Sequence, residues 1–144
     1  MDKTTSELLN ELKSENNIEN YTERNRDIFM DRPLTEYLEI LLENYSLKKA
    51  EVINRAAIAT VYGYQIFDGK KNPKRDKVIQ LAFGFGLTLE DTQKLLCCAG
   101  LGELYAKIKR DALIIYAINN KFRIEDMESL LYKMDEKGLE NINE

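Results

Sequence analysis

Histidine is absent from this 144-residue sequence, and cysteine occurs only as the neighbours Cys97 and Cys98. Without imidazole there is no His-dependent triad and almost no zinc site. Adjacent cysteines on a helix point about 100° apart, so neither a disulfide framework nor a metal clamp is expected from them. They read as small apolar filler near a core edge, or as a thiol with a redox role. No Gly-rich loop cradles phosphate. The acidic pairs Glu90–Asp91 and Glu125–Asp126 fall at helix starts, where charge against the helix dipole explains them. An enzyme is not expected, and no catalytic residue, cofactor or metal is assigned. No apolar run approaches the roughly 18 residues that span a bilayer, and "MDKTTSELLNELKSENN" lacks a signal-peptide core. The expectation is a cytoplasmic protein without a membrane partner.

Strand signals are equally scarce, whereas helical periodicity is pervasive. Ser6 to about Glu15 carries Leu8, Leu9 and Leu12 on one face, with Ser6 as cap. "SENNIENYTERNRD" reads as a flexible polar connection. Pro33 opens a helix with the stripe Leu34, Tyr37, Leu38, Leu41, Leu42 and Tyr45. Ser46 is the expected cap of a helix to about Ala56, and a tight turn at Ala57–Ala59 precedes a short helix Thr60–Phe67 ended by Gly69. Further helices are expected from about Lys74 to Phe85, from Thr88 (paired with Asp91 as a capping box) to about Ala99, from about Glu103 to Asn119, and from Ile124 to Met134. The fold class is all-α. Three parts are expected: an amphipathic helix and polar linker over 1–32, a helical domain over 33–100, and a helical hairpin over 101–144.

Net charge is −4, but it is unevenly spread. Residues 48–77 alone hold a balance of +5, from Lys48, Lys49, Arg55, Lys70, Lys71, Lys74, Arg75 and Lys77 against Glu51, Asp68 and Asp76. Concentrated positive charge is what an electrostatic footprint on phosphate requires. A second pattern appears when the chain is slid by 35 residues: "KRDKVIQLAFGFGLTLEDTQKLL" (74–96) falls without gaps on "KRDALIIYAINNKFRIEDMESLL" (109–131). A solenoid needs about three such units, so two copies read as a structural echo of one helix pair in the next. "ALIIYAINN" (112–120) is apolar almost all round, which marks a helix buried on more than one side. It is the expected cover for Ile79 and Phe83, and the rest of its hairpin is the expected dimer face.

The segment "LKKAEVINRAAIATVYGYQIFDGKKNPKRDKVIQLAFGFGL", with Ile66, Gly69, Lys70, Asn72 and Pro73 followed by Val78, Leu81, Ala82, Phe85 and Leu87, resembles the helix-turn-helix of phage-repressor/Cro (XRE-type) regulators. The resemblance covers residues 34–96. It implies a lambda-repressor-like five-helix DNA-binding domain whose short helix 60–67 enters the major groove. On that alignment Thr60, Val61 and Gln65 face bases, Gln65 pairing with adenine and the others touching thymine methyls. Lys49, Tyr64, Lys71 and Asn72 match phosphate contacts, and Lys48, Lys70, Lys74 and Arg75 lie near enough to join them. Tyr62 either packs or reads. Double-stranded DNA is the implied partner and a homodimer the implied state; another protein on the hairpin or N-terminal helix is a further candidate. Two positions depart from the family: Ala57 stands where the turn has glycine, and Gly63 stands where a buried aliphatic anchors the reading helix. Either that helix packs closer to its neighbour, or it has degenerated. In the second case the chain is an interaction adaptor that keeps the fold without the reading.

Overall fold

The computed structural model describes residues 3–26, 33–139 and 142, and among them every regular element is a helix. The chain divides into two compact units, Met1–Asp31 and Arg32–Glu144. No helix among the described residues is long and apolar enough to cross a membrane.

The first unit holds α1 (Thr5–Ser14) and α2 (Ile18–Arg24). Thr4, not Ser6, caps α1: its hydroxyl accepts the Glu7 amide at 3.1 Å while the Glu7 carboxylate accepts the Thr4 amide at 3.4 Å. The expected flexible connection is largely α2. Asn17 caps it through its side chain, and Arg24 ties it to α1, reaching Glu11 at 3.3 Å and Glu15 at 2.6 Å. Such side-chain ties are invisible to a search for apolar stripes. Asp27, the last residue of that connection, lies outside the described residues, as do residues 28–32.

In the second unit α3 (Leu34–Asn44), α4 (Lys49–Arg55), α5 (Thr60–Phe67), α6 (Arg75–Phe85), α7 (Leu89–Cys98), α8 (Lys109–Asn119) and α9 (Ile124–Lys133) surround one apolar core running from Leu38 to Leu139. As expected, α8 and α9 pack on α7 and α6. Ile79 and Ile114 are fully buried, and Phe83 lies at the core edge. Cys97 and Cys98 are half-buried thiols.

All seven helices end alike. The backbone turns left-handed at Ser46, Ala57, Gly69, Gly86, Gly100, Lys121 and Asp135. The amide after each of these donates five residues back, for example Leu47 to Leu42, Ile58 to Ile53 and Leu87 to Ala82. This is the Schellman closure. Ser46 therefore ends α3 instead of capping α4, whose N-cap is Lys48 with its amide bonded to Glu51. Thr88 does cap α7, but Asp91 does not complete a box. Its carboxylate accepts the Tyr45 hydroxyl at 2.6 Å, and that hydroxyl receives the Thr88 amide at 3.4 Å. The expected helix from Glu103 starts six residues later. The backbone of 102–105 is taken by distant side chains: Gln93 holds both polar groups of Leu104 at 2.8 Å, Asp111 the Tyr105 amide, and Arg75 the carbonyls of Gly102 and Glu103.

The 35-residue echo is a physical repeat. Arg75 binds Asp111, and Arg110 binds Asp76. Arg75 donates to the Gly102 and Glu103 carbonyls; Arg110 donates to those of Lys137 and Gly138, again 35 residues on. Gln93 accepts the Leu104 amide and Glu128 accepts the Leu139 amide. With α6 on α9 and α7 on α8, these contacts reciprocate as in an isologous pair.

Candidate nucleic-acid interface

The seat of α5 is set by Gly63. A β-carbon there would lie 2.7 Å from Ile53 Cγ1 and Cγ2 and 2.8 Å from Cδ1, so α5 approaches α4 more closely than any side chain allows. This is the close packing that one reading of Gly63 expected. Ala57 adopts the left-handed turn at φ 56°, and its carbonyl and that of Ala56 accept Gln80 Nε2 at 3.1 and 3.0 Å. Gln80, fully buried on α6, thus ties the turn to the next layer. Sequence reasoning passed over it because one glutamine in an apolar run carries no periodic signal.

With Gly63, Ile66 and Phe67 buried, the opposite side of α5 carries Thr60, Val61, Tyr64, Gln65 and Asp68. Val61 is 71% exposed and Tyr64 38%. Thr60 and Asp68 are exposed, and Gln65 is half-exposed. Tyr62 packs against the core, with Lys77 Nζ 5.9 Å from its ring centre.

The loop after α5 starts at Gly69, where φ is 81° and a β-carbon would come within 3.0 Å of Thr35. The amides of Lys70 and Lys71 donate to the Gln65 carbonyl at 2.9 and 3.3 Å. Lys70, Lys71, Asn72 and Lys74 are exposed around a buried Pro73, and Lys48 is exposed at the start of α4. The ammonium groups of Lys48, Lys70, Lys71 and Lys74 have no partner among the described residues, which leaves four cations open to an outside anion.

Two expected members are placed otherwise. Lys49 is half-buried, 3.4 Å from Glu39 and 5.8 Å from the Phe67 ring centre, and so helps pack α4 on its neighbours. Arg75 is bound to Asp111 at 3.1 and 2.9 Å and to two carbonyls, so its fork is already filled. The signal for that role was the repeated Lys-Arg-Asp, which had two explanations until partners were known. No protein-family model, no curated protein and no solved structure matches this chain.

Proposed function

We propose that this chain is a sequence-specific, double-stranded-DNA-binding regulator of the phage-repressor/Cro (XRE-type) kind. Helices α3 to α7 serve as its lambda-repressor-like domain, and α5 is its reading helix. The observation that carries the reading is Val61. An apolar side chain 71% exposed on the first turn of a helix, beside Thr60, Tyr64 and Gln65 and near four lysines in sequence, has a use if thymine methyls cover it. Lys48, Lys70, Lys71, Lys74, Asn72 and Tyr64 take the phosphates; Arg75 is withdrawn from that group, and Lys49 is secondary. Close packing at Gly63 and the Gln80 tie at Ala57 weigh against a degenerate reading helix, so the adaptor reading ranks second.

Such regulators bind paired half-sites as symmetric dimers. In this reading the dimer face is the exposed part of the C-terminal hairpin, which still shows Tyr116 and Tyr132.

Selection of binding sites from a random duplex library with the purified protein is the test. A recovered A·T-leaning site, palindromic if the dimer is right, supports the reading. Four lysines per half-site give a log–log salt slope of roughly −3 to −4. Failure to enrich any sequence, with a protein partner recovered instead, favours the adaptor.

A further inference from the structure

Arg75 is the first residue of α6, and the loop carrying Lys70, Lys71, Asn72 and Lys74 ends on it. The other end of that loop is held by α5, through the Gln65 carbonyl, and by Gly69 against Thr35. The second anchor is therefore wherever α6 begins, and α6 begins in the crossed junction of the two repeats. Arg75 Nε donates to the Gly102 carbonyl at 3.1 Å, and Nη2 donates to the Glu103 carbonyl and to Asp111, both at 2.9 Å. Nη1 donates to the second Asp111 oxygen at 3.1 Å. Asp111 is 2% exposed and also accepts the Tyr105 amide. The next residue of α6, Asp76, receives Arg110 of α8 through both oxygens at 3.2 Å. A bidentate fork fixes orientation as well as distance. Ion pairs of this kind gain little net stability over apolar packing, because desolvation offsets their attraction. What two crossed forks add is a set register between the starts of α6 and α8.

We propose that these crossed pairs are a positioning device for DNA binding. Through them the hairpin α8–α9, which need not touch the duplex through this junction, holds the start of α6 and with it the lysine loop 69–74 in the place where phosphates run. Arg75 and Asp111 are positioning residues that act through Lys70, Lys71 and Lys74. The proposal rests on the DNA-binding reading above.

The test uses the full chain with Asp111→Asn, which keeps the side-chain volume and an acceptor for Tyr105, and Arg75→Lys, which keeps the charge but loses the fork. Met127→Ala, in the buried face of α9, is the control for a hairpin loosened without touching the four charges. Two quantities are read: amide hydrogen exchange of residues 69–74 in the free protein, and affinity with its salt slope on the duplex selected by wild type. Both clamp variants should speed exchange in 69–74, weaken binding about tenfold and flatten the slope by about 1. Met127→Ala should lower Tm but leave loop exchange and slope as in wild type. If the clamp variants leave loop exchange unmoved while wild type binds its duplex, or if Met127→Ala moves it as much as they do, the positioning role is overturned. If wild type binds no duplex, the DNA reading has failed and the proposal falls with it, even where exchange responds.

Discussion

Replacing Gly63 by alanine tests how α5 is seated. An alanine inside a helix is worth about 1 kcal/mol over glycine, so at an exposed site the change would stabilise. Here the added methyl meets three atoms of Ile53 at 2.7, 2.7 and 2.8 Å, against the 3.5–4.0 Å at which carbon atoms attract. Ile53 cannot swing aside cheaply: its branched β-carbon restricts χ1, and at 2% exposure it is enclosed by the core. Overpacking of this kind costs about 1–3 kcal/mol. Set against the propensity gain, Gly63→Ala is expected to destabilise by up to about 2 kcal/mol. A cycle with Ile53→Ala separates the terms. That truncation alone costs about 2–5 kcal/mol, and in the Gly63→Ala background the new methyl occupies part of the space it leaves. The pair should then be coupled favourably by about 0.5–3 kcal/mol. Urea unfolding of the four proteins measures this. A Gly63→Ala chain more stable than wild type, with an additive cycle, would refute the close-packing argument and restore the degenerate reading of α5.

Three further outcomes are expected. Gln65→Ala should cost about 1–3 kcal/mol at one base pair of the selected site and relax preference there, whereas Lys71→Ala should weaken all sequences alike and lower the salt slope by about 1; equal behaviour of the two in a mismatch series would show the assigned roles to be wrong. Lys121 is exposed and left-handed at φ 59°, so Lys121→Gly should raise stability by about 0.5–1 kcal/mol in thermal unfolding, and a loss there would contradict the cost assigned to non-glycine closures. Burial by itself would push the Asp111 carboxyl up, but bonds from Arg75 and the Tyr105 amide, with the charges of Arg75 and Arg110, hold it below the usual carboxylate range. A carboxylate lowered by folding contributes stability present above its unfolded pKa of about 3.9 and lost as pH falls through the folded value, so acid unfolding below about pH 4 should flatten in Asp111→Asn.

The positions of helices α3 to α9 were legible because each has an apolar stripe at helical spacing, and α5 and α6 were bounded by Gly69 and Gly86. Ends near Ala56, Asn119 and Met134 were read without a glycine to mark them, but the left-handed closures at Lys121 and Asp135 were not. Gly69, Gly86 and Gly100 carry the left-handed closure without steric cost, but Ser46, Ala57, Lys121 and Asp135 perform the same closure with a β-carbon. Nothing in the identity of Ser46 distinguishes a residue ending α3 from one capping α4. The stretch from Glu103 to Ile108 was misread for a different reason. Its local pattern favours helix, yet the backbone groups of 102–105 find partners on Arg75, Gln93 and Asp111, between 6 and 28 residues away. Of the candidate interface, the exposed set Thr60, Val61, Tyr64 and Gln65 follows from periodicity once Ile66 and Phe67 are placed inside. The fate of Arg75 does not, since a lysine-rich context made it look like one more surface cation.

The reciprocal junction also explains why two repeats are enough. In a solenoid each unit is displaced along an axis, so the last unit always presents the face that the first one buries, and atypical caps must close it. Here Arg75 reaches Asp111 while Arg110 reaches Asp76, and α6 meets α9 while α7 meets α8. Each half fills the same face of the other, as in a closed two-fold pair, and no equivalent face remains for a third hairpin. The two halves then differ in what precedes them. Before Arg75 runs the lysine loop, open to outside anions; before Arg110 runs 102–108, whose early carbonyls and amides are consumed by the clamp and by Gln93. An isologous core with one free and one occupied approach would let one copy of the repeat carry the proposed binding role while the other braces it.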